Sequence, residues 1–128
     1  MSEISVTLGK TSVASILVSE ANTAKAVGSG NLDVFATPMM IALMEKAACK
    51  CLSDVLEAGQ TSVGTEINVT HTAASPIGAE ITATATIESV SERKIEFKLF
   101  ASDGTKEIGS GTHIRVIVDA ERFMVKLK

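Results

Sequence analysis

Tryptophan and tyrosine are absent from this 128-residue chain, and four phenylalanines are its whole aromatic complement. Bases or sugars stacked on aromatic platforms are therefore unfavoured as ligands. The core must be filled by aliphatic, methionine and small side chains, and the sequence supplies 16 Ala and 13 Thr. Basic charge is not in excess either. Twelve Lys and Arg against 15 Asp and Glu give a net charge of −3, with no basic block, which argues against nucleic acid as a partner. Long apolar runs are missing: the longest, residues 39–44, has six residues, against the roughly 20 that cross a bilayer. No transmembrane helix and no membrane partner are expected. The opening MSEISVTLGK has neither the charged start nor the apolar stretch of a secretion signal, so the expected location is cytoplasmic. Cysteine is scarce, and Cys49 and Cys51 stand two apart in a helical pattern, pointing about 200° from each other. They cannot bridge within the chain and are expected to be buried, reduced thiols. Both histidines lie far along the chain, so no zinc site and no other metal is expected.

What is present reads as one folded domain over residues 1–128. The chain is 45% hydrophobic with 21% charged residues, too apolar for disorder and ordinary for a globular surface. Residues 4–8 and 12–18 read as short strands of a hairpin around Gly9-Lys10-Thr11. Residues 22–33, with Gly28-Ser29-Gly30-Asn31, read as a loop long enough to serve as a lid. Thr37-Pro38 opens the clearest helix, from about residue 38 to 57, with Thr37 as N-cap and Gly59 as its stop. Beyond Gly59 the texture turns to alternation: Val63, Ile67 and Val69, then Ile81, Ala83, Ala85 and Ile87, then Ile95, Phe97 and Leu99, then residues 108–118. Turns fall at Ser75-Pro76-Ile77-Gly78, Ser91-Glu92-Arg93 and Ser102-Asp103-Gly104. The plan is an α+β fold in which a curved antiparallel sheet wraps one long central helix. The hot-dog fold and cystatin-like one-helix sheets both fit this plan.

Several residues break these patterns in ways that suggest chemistry. On the helical wheel Lys46, Lys50, Ser53, Asp54 and Glu57 share a polar arc about 100° wide, and Glu45 falls about 80° outside it, beside Ile41, Ala42, Ala48, Cys49 and Leu52. A carboxylate there either curls back to water or occupies a polar cleft as a catalytic group. His71 lies in phase with Val69, Ile67, Thr65 and Val63 on the apolar face of its strand, either as a core-edge histidine or as a second member of a site with Glu45. As N-cap, Thr37 would place its hydroxyl at the positive end of the helix dipole, where an oxyanion is favoured. Gly64 marks a bulge or a close backbone approach, whose N–H could stabilise an oxyanion. Met39 and Met40, beside Phe35, either fill core or line a pliable acyl pocket. His113 and Arg115 share a face opposite Ile114 and Val116 and are expected on the solvent or interface side, where Arg115 could hold a phosphate. Gly109-Ser110-Gly111 lacks a P-loop lysine and a following helix, and reads as strand twist or close packing.

Val34-Phe35-Ala36-Thr37, Leu43-Met44-Glu45, Ser62-Val63-Gly64-Thr65, Val69-Thr70-His71-Thr72-Ala73-Ala74 and Gly109-Ser110-Gly111-Thr112-His113 together resemble the fluoroacetyl-CoA thioesterase family of hot-dog proteins, over residues 34–123. The resemblance implies a homodimer, or a higher oligomer, that hydrolyses short acyl-CoA thioesters near the subunit interface, with coenzyme A as part of the substrate and no cofactor. By position it implies a catalytic Thr37, Glu45 and His71, an oxyanion glycine at Gly64 and, at Arg115, an arginine on the CoA side. Fluoroacetyl-selective members share an aromatic lid ahead of the helix. Residues 22–33 hold no aromatic side chain, which argues against fluoroacetyl selectivity here. Glu45 would attack the thioester carbonyl or activate water to do so. Two other activities suit the same residues: an acyl-CoA-binding or sensing module without catalysis, and an enoyl-CoA hydratase. A purely structural dimeric domain would leave His71 an ordinary imidazole.

Overall fold

The alternating stretches after Gly59 form four antiparallel strands in the computed structural model of the chain, which describes residues 6–128: β2 (Gln60–His71), β3 (Glu80–Ser91), β4 (Lys94–Ser102) and β5 (Glu107–Asp119). With β1 (Thr11–Leu17) they make one sheet in the order β1-β3-β4-β5-β2, antiparallel throughout. The period of two puts Ile81, Ala83, Ala85 and Ile87 of β3 and Ile95, Phe97, Leu99 and Ala101 of β4 on one buried face.

That face is covered by α2 (Thr37–Leu52), whose buried residues are Met40, Leu43, Met44, Ala47, Ala48, Cys51 and Leu52. Their spacing of three and four makes a single apolar stripe. Fully burying each large aliphatic side chain contributes roughly 1.5–3 kcal/mol, so the stripe fixes where the helix lies. It packs chiefly on β1 and β3 and scarcely meets β2. The gap left between α2 and the β2 edge of the sheet is where the polar residues gather.

Several details depart from expectation. The helix ends at Leu52, not near 57: Ser53 Oγ donates to the Lys50 carbonyl at 3.0 Å, and the amides of Val55 and Leu56 both return to the Leu52 carbonyl. Local polar bonds of this kind compete with helical ones. Gly59, at φ +85°, then turns the chain into β2. The expected N-terminal strand at 4–8 lies partly outside the described residues, and residues 6–8 carry no strand; β1 pairs with β3 instead of with a hairpin partner. The 22–33 segment is not all loop. A 3-10 turn (Glu20–Asn22) is closed by a Ser19–Asn22 capping box, and α1 (Ala24–Val27) is capped by Thr23 and ended by Gly28 at φ +81°. A short α3 (Ala120–Val125), capped by the Asp119 carboxylate, was not anticipated. Cys51 is buried, but Cys49 is exposed. Among the described residues no helix is long and apolar enough to cross a membrane.

The register of β2 against β5 contains the most consequential departure. It shifts between Gly64 and Glu66, so Gly64 pairs with Arg115 while Ile67 pairs with His113. This bulge reverses the phase of the strand. Ile67, Val69 and His71 face inward as expected, but upstream it is Ser62 and Gly64 that face inward, not Val63 and Thr65.

Candidate active site

Two polar clusters open into the gap beside α2. The first lies at the start of the helix. Thr37 is the first residue of α2, not its N-cap; Ala36 holds that position and gives no side-chain cap. Pro38 has no N–H to satisfy, and the amides of Met39 and Met40 both reach the Ala36 carbonyl at 3.0 Å. The Thr37 hydroxyl is thereby free to bond His71 Nδ1 at 2.7 Å. His71 Nε2 is buried without a hydrogen-bond partner. Burial lowers the His71 pKa below its ordinary 6.5, offset in part by the Ala73 backbone, so the ring is neutral at pH 7. A cavity of about 260 Å³ opens here, lined by Phe35, Thr37, His71, Thr72, Ala73 and Ala74 together with Ala24, Ser29 and Val34. Phe35 therefore meets the cavity. Met39 and Met40 do not: Met40 is fully buried and Met39 packs partly buried on the core. The close packing read at Gly109-Ser110-Gly111 is present, since a Cβ at Gly109 would lie 2.6 Å from Met40 Sδ and one at Gly111 would lie 1.9 Å from the Asn68 carbonyl oxygen.

The second cluster lies two helical turns on, about 12 Å along the axis. Glu45 leaves the apolar stripe for the cleft and keeps 41% of its side-chain surface exposed. A cavity of about 250 Å³ is lined by Glu45, Gly64, Thr65, Glu66, Ile67 and His113. Gly64 is the wall opposite the carboxylate. A Cβ there would lie 2.9 Å from Glu45 Oε2, 3.0 Å from His113 Cε1 and 3.2 Å from the Arg115 guanidinium.

The expectation that His113 and Arg115 face solvent is wrong. His113 is 1% exposed and Arg115 is 7% exposed. Pairing decides their direction: His113 lies opposite Phe97 on β4 and Ile67 on β2, both on the inner face. Arg115 Nε donates to Ser62 Oγ at 2.8 Å, its second terminal nitrogen donates to the Ser62 carbonyl at 3.1 Å, and its first reaches both His113 Nε2 at 3.1 Å and Glu45 Oε2 at 3.5 Å. His113 Nδ1 meets the Glu66 carbonyl oxygen at 2.8 Å; the sequence reading assigns no role in the site to Ser62, His113 or that carbonyl. The signal that could have found them is cross-strand pairing, which a single strand's alternation does not contain. Among the described residues no three His, Cys, Asp or Glu side chains converge as metal ligands would.

The chain is similar to known proteins over nearly all of this structure. The family model described as fluoroacetyl-CoA-specific thioesterase matches residues 18–121, which include both clusters. A fluoroacetyl-CoA thioesterase from Streptantibioticus cattleyicolor is 46% identical over 96 residues, covering 75% of this chain and 69% of that protein. A crystal structure of the fluoroacetyl-CoA thioesterase FlK superposes with a TM-score of 0.90 at 36% identity, covering 96% of each chain. A variant of that enzyme in complex with fluoroacetate and CoA superposes at 0.87 with 37% identity, over 92% of this chain and 99% of the other. A thioesterase superfamily member from Thermus thermophilus, at 22% identity, shares the fold with a TM-score of 0.89 over 96% of this chain and 91% of its own. With its single main helix held in a curled five-stranded sheet and both polar clusters inside the matched span, the chain belongs to the fluoroacetyl-CoA-specific thioesterase family and has the hot-dog fold.

Proposed function

We propose that this protein hydrolyses short acyl-CoA thioesters to the free acid and CoA, with Glu45 as the reacting carboxylate. One observation carries the reading: a partly exposed carboxylate, ion-paired to a buried arginine, faces a strand position where no side chain fits. A thioester carbonyl can approach the Gly64 backbone there as closely as it approaches Glu45. Glu45 attacks that carbonyl or takes a proton from the water that does, and the Gly64 N–H meets the developing oxyanion. The carbon–sulfur bond then breaks, and the CoA thiolate needs a proton. Where Glu45 attacks, water then cleaves the resulting anhydride. In both routes the proton that the water gives up passes to the thiolate, relayed by a neutral His71 that Thr37 orients. Within one chain that His71 lies about 12 Å along α2 from Glu45, so it would come from the second copy of a homodimer. The substrate supplies coenzyme A, and no resident cofactor enters the scheme.

We further propose that the working form is a cytoplasmic homodimer, which sedimentation velocity would reveal at micromolar concentration. The absence of any aromatic side chain at 22–33 supports a broad short-acyl preference, with acetyl-CoA and fluoroacetyl-CoA differing less than about tenfold in kcat/KM. Thiol release from a panel of acyl-CoAs tests the activity. Wild type should turn over, Glu45→Gln should fall by at least a hundredfold and His71→Ala by at least tenfold. Equal rates in all three remove the assignment, and saturable binding without thiol release would make the protein a binding module. Single turnover in 18O-labelled water separates the two routes, because only direct attack leaves a Glu45 oxygen in the first product.

A further inference from the structure

The Glu45 carboxylate is held by a relay that begins in the buried face of β5. A backbone carbonyl only accepts, so His113 Nδ1, 2.8 Å from the Glu66 carbonyl oxygen, carries the hydrogen. An arginine only donates, so His113 Nε2, 3.1 Å from the Arg115 guanidinium, carries the lone pair. Both constraints together leave one protonation state: a neutral imidazole with its proton on Nδ1. The ring is fixed on both sides, stacked at 6.1 Å between centroids on Phe97 and paired across the strand with Ile67. The Arg115 nitrogen that it engages is the one that reaches Glu45. The charged and titratable groups facing the ring are Arg115 from its own strand and Glu45 from α2, 4.0 Å from Nε2.

We propose that His113 is a positioning residue for Glu45: its Nε2 lone pair, with the two Ser62 oxygens, sets the rotation of the Arg115 guanidinium so that one N–H is presented to the carboxylate beside Gly64. A guanidinium has five donors, and without Nε2 the Ser62 contacts alone leave its free edge undirected. A protonated His113 would reverse the arrangement, since an Nε2–H would repel Arg115 and donate to Glu45 itself. The inference rests on Glu45 as the reacting carboxylate, yet the geometry of the relay can be read without turnover.

Amide substitutions separate the two ends of the ring. In His113→Asn the carboxamide lies where Nδ1 was, so the Glu66 contact survives and the reach to Arg115 is lost. In His113→Gln an oxygen can take the place of Nε2. We expect His113→Asn to lower kcat at least tenfold with KM for acyl-CoA within about twofold, and His113→Gln to lose no more than about threefold. Ser62→Ala, which removes the other side-chain anchor of Arg115, should also lower kcat with little change in KM. Should His113→Asn fail to fold, the Gln and Ser62 variants carry the comparison. Nitrogen-15 NMR of the two histidines, assigned with His71→Asn, should show His113 as the Nδ1–H tautomer near pH 7. An Nε2–H tautomer, or an Asn variant as fast as wild type, overturns the proposal. If wild type hydrolyses no acyl-CoA, the functional reading fails separately, and the tautomer alone then upholds or overturns the relay.

Discussion

Thr37 shows how one hydroxyl can serve either the helix or the site. Its sequence context, just before a proline at a helix start, points to a cap, but the structure places the cap one residue earlier and directs Oγ1 to His71 Nδ1. Loss of a true N-cap costs about 1 kcal/mol. Thr37→Ala should therefore leave the midpoint of thermal unfolding nearly unchanged while lowering kcat at least tenfold, and Thr37→Ser should recover most of the rate. A melt lowered as far as the loss of a cap requires would return Thr37 to a structural role. Gly64 makes the complementary case, since Gly64→Ala sets a methyl group 2.9 Å from Glu45 Oε2 and 3.0 Å from a buried imidazole. The expected outcome is a folded protein with kcat reduced at least tenfold, checked by thiol release beside a circular dichroism melt. At this scale the sequence was informative about which residues are unusual. It was silent about partners: Thr37, Glu45, Gly64 and His71 stand out by type and position, whereas His113 and Arg115 look like an outward polar pair until the strands beside them are known.

At the scale of elements, α2 and the four long strands are legible because their apolar periods are clean and because Gly59 and the Ser-Pro-Ile-Gly turn punctuate them. The misreadings have physical causes. Val63 and Thr65 were placed inward by extending a period of two through a bulge, and a bulge is an agreement between two strands that neither strand records alone. Both faces of β5 carry apolar residues, so its phase is decided by Phe97 and Ile67 across the ladder. α3 is six residues long, too short to show a helical period. The approach of α2 to the sheet gives an element-scale prediction. Gly109 lies under Met40, where an added Cβ would be 2.6 Å from both Met40 Sδ and the Thr70 carbonyl oxygen. Overpacking of this kind costs about 1–3 kcal/mol, and backbone on one side leaves little room to relax. Gly109→Ala should lower stability in urea denaturation by that amount, and an unchanged midpoint would show that the helix can lift away freely.

Taken whole, the molecule separates a dry side from a wet one. α2 is anchored over β1 and β3 by aliphatic burial, and the polar groups collect toward β2, where the helix scarcely reaches. Both histidines lie on that wetter side, His71 half-buried and His113 buried. Desolvation is the main cause that lowers each below 6.5, with Arg115 adding to the effect at His113. Below pH 6.5 the unfolded chain then binds more protons than the folded one, so stability is complete above that value and falls as pH drops toward the folded pKa values. Thermal melts between pH 8 and pH 5 should be level down to about 7 and decline below it, and His113→Gln should lessen the decline. Asp54 and Asp103, whose carboxyl groups are held low chiefly by Lys10 and by the Thr105 amide respectively, respond only in more acidic solution. A level profile down to pH 5 would contradict the desolvation of these imidazoles.

The shift at Gly64 also bears on how this chain tolerates changes in length. Turns at Gly59 and at Pro76–Gly78 can gain or lose a residue and be absorbed at the surface, as loops generally are. Between Ser62 and Ile67 the faces depend on one residue, Thr65, staying out of the ladder. Pairing Thr65 into a regular ladder would keep Ile67, Val69 and His71 in place and rotate Ser62 and Gly64 to the outside, so that Arg115 loses its anchor and Glu45 its open wall in one step. A single odd residue in a twelve-residue strand thus acts as a frameshift in three dimensions. The Glu45 cavity opens at the shift itself, and the His71 cavity lies beyond it toward the end of β2.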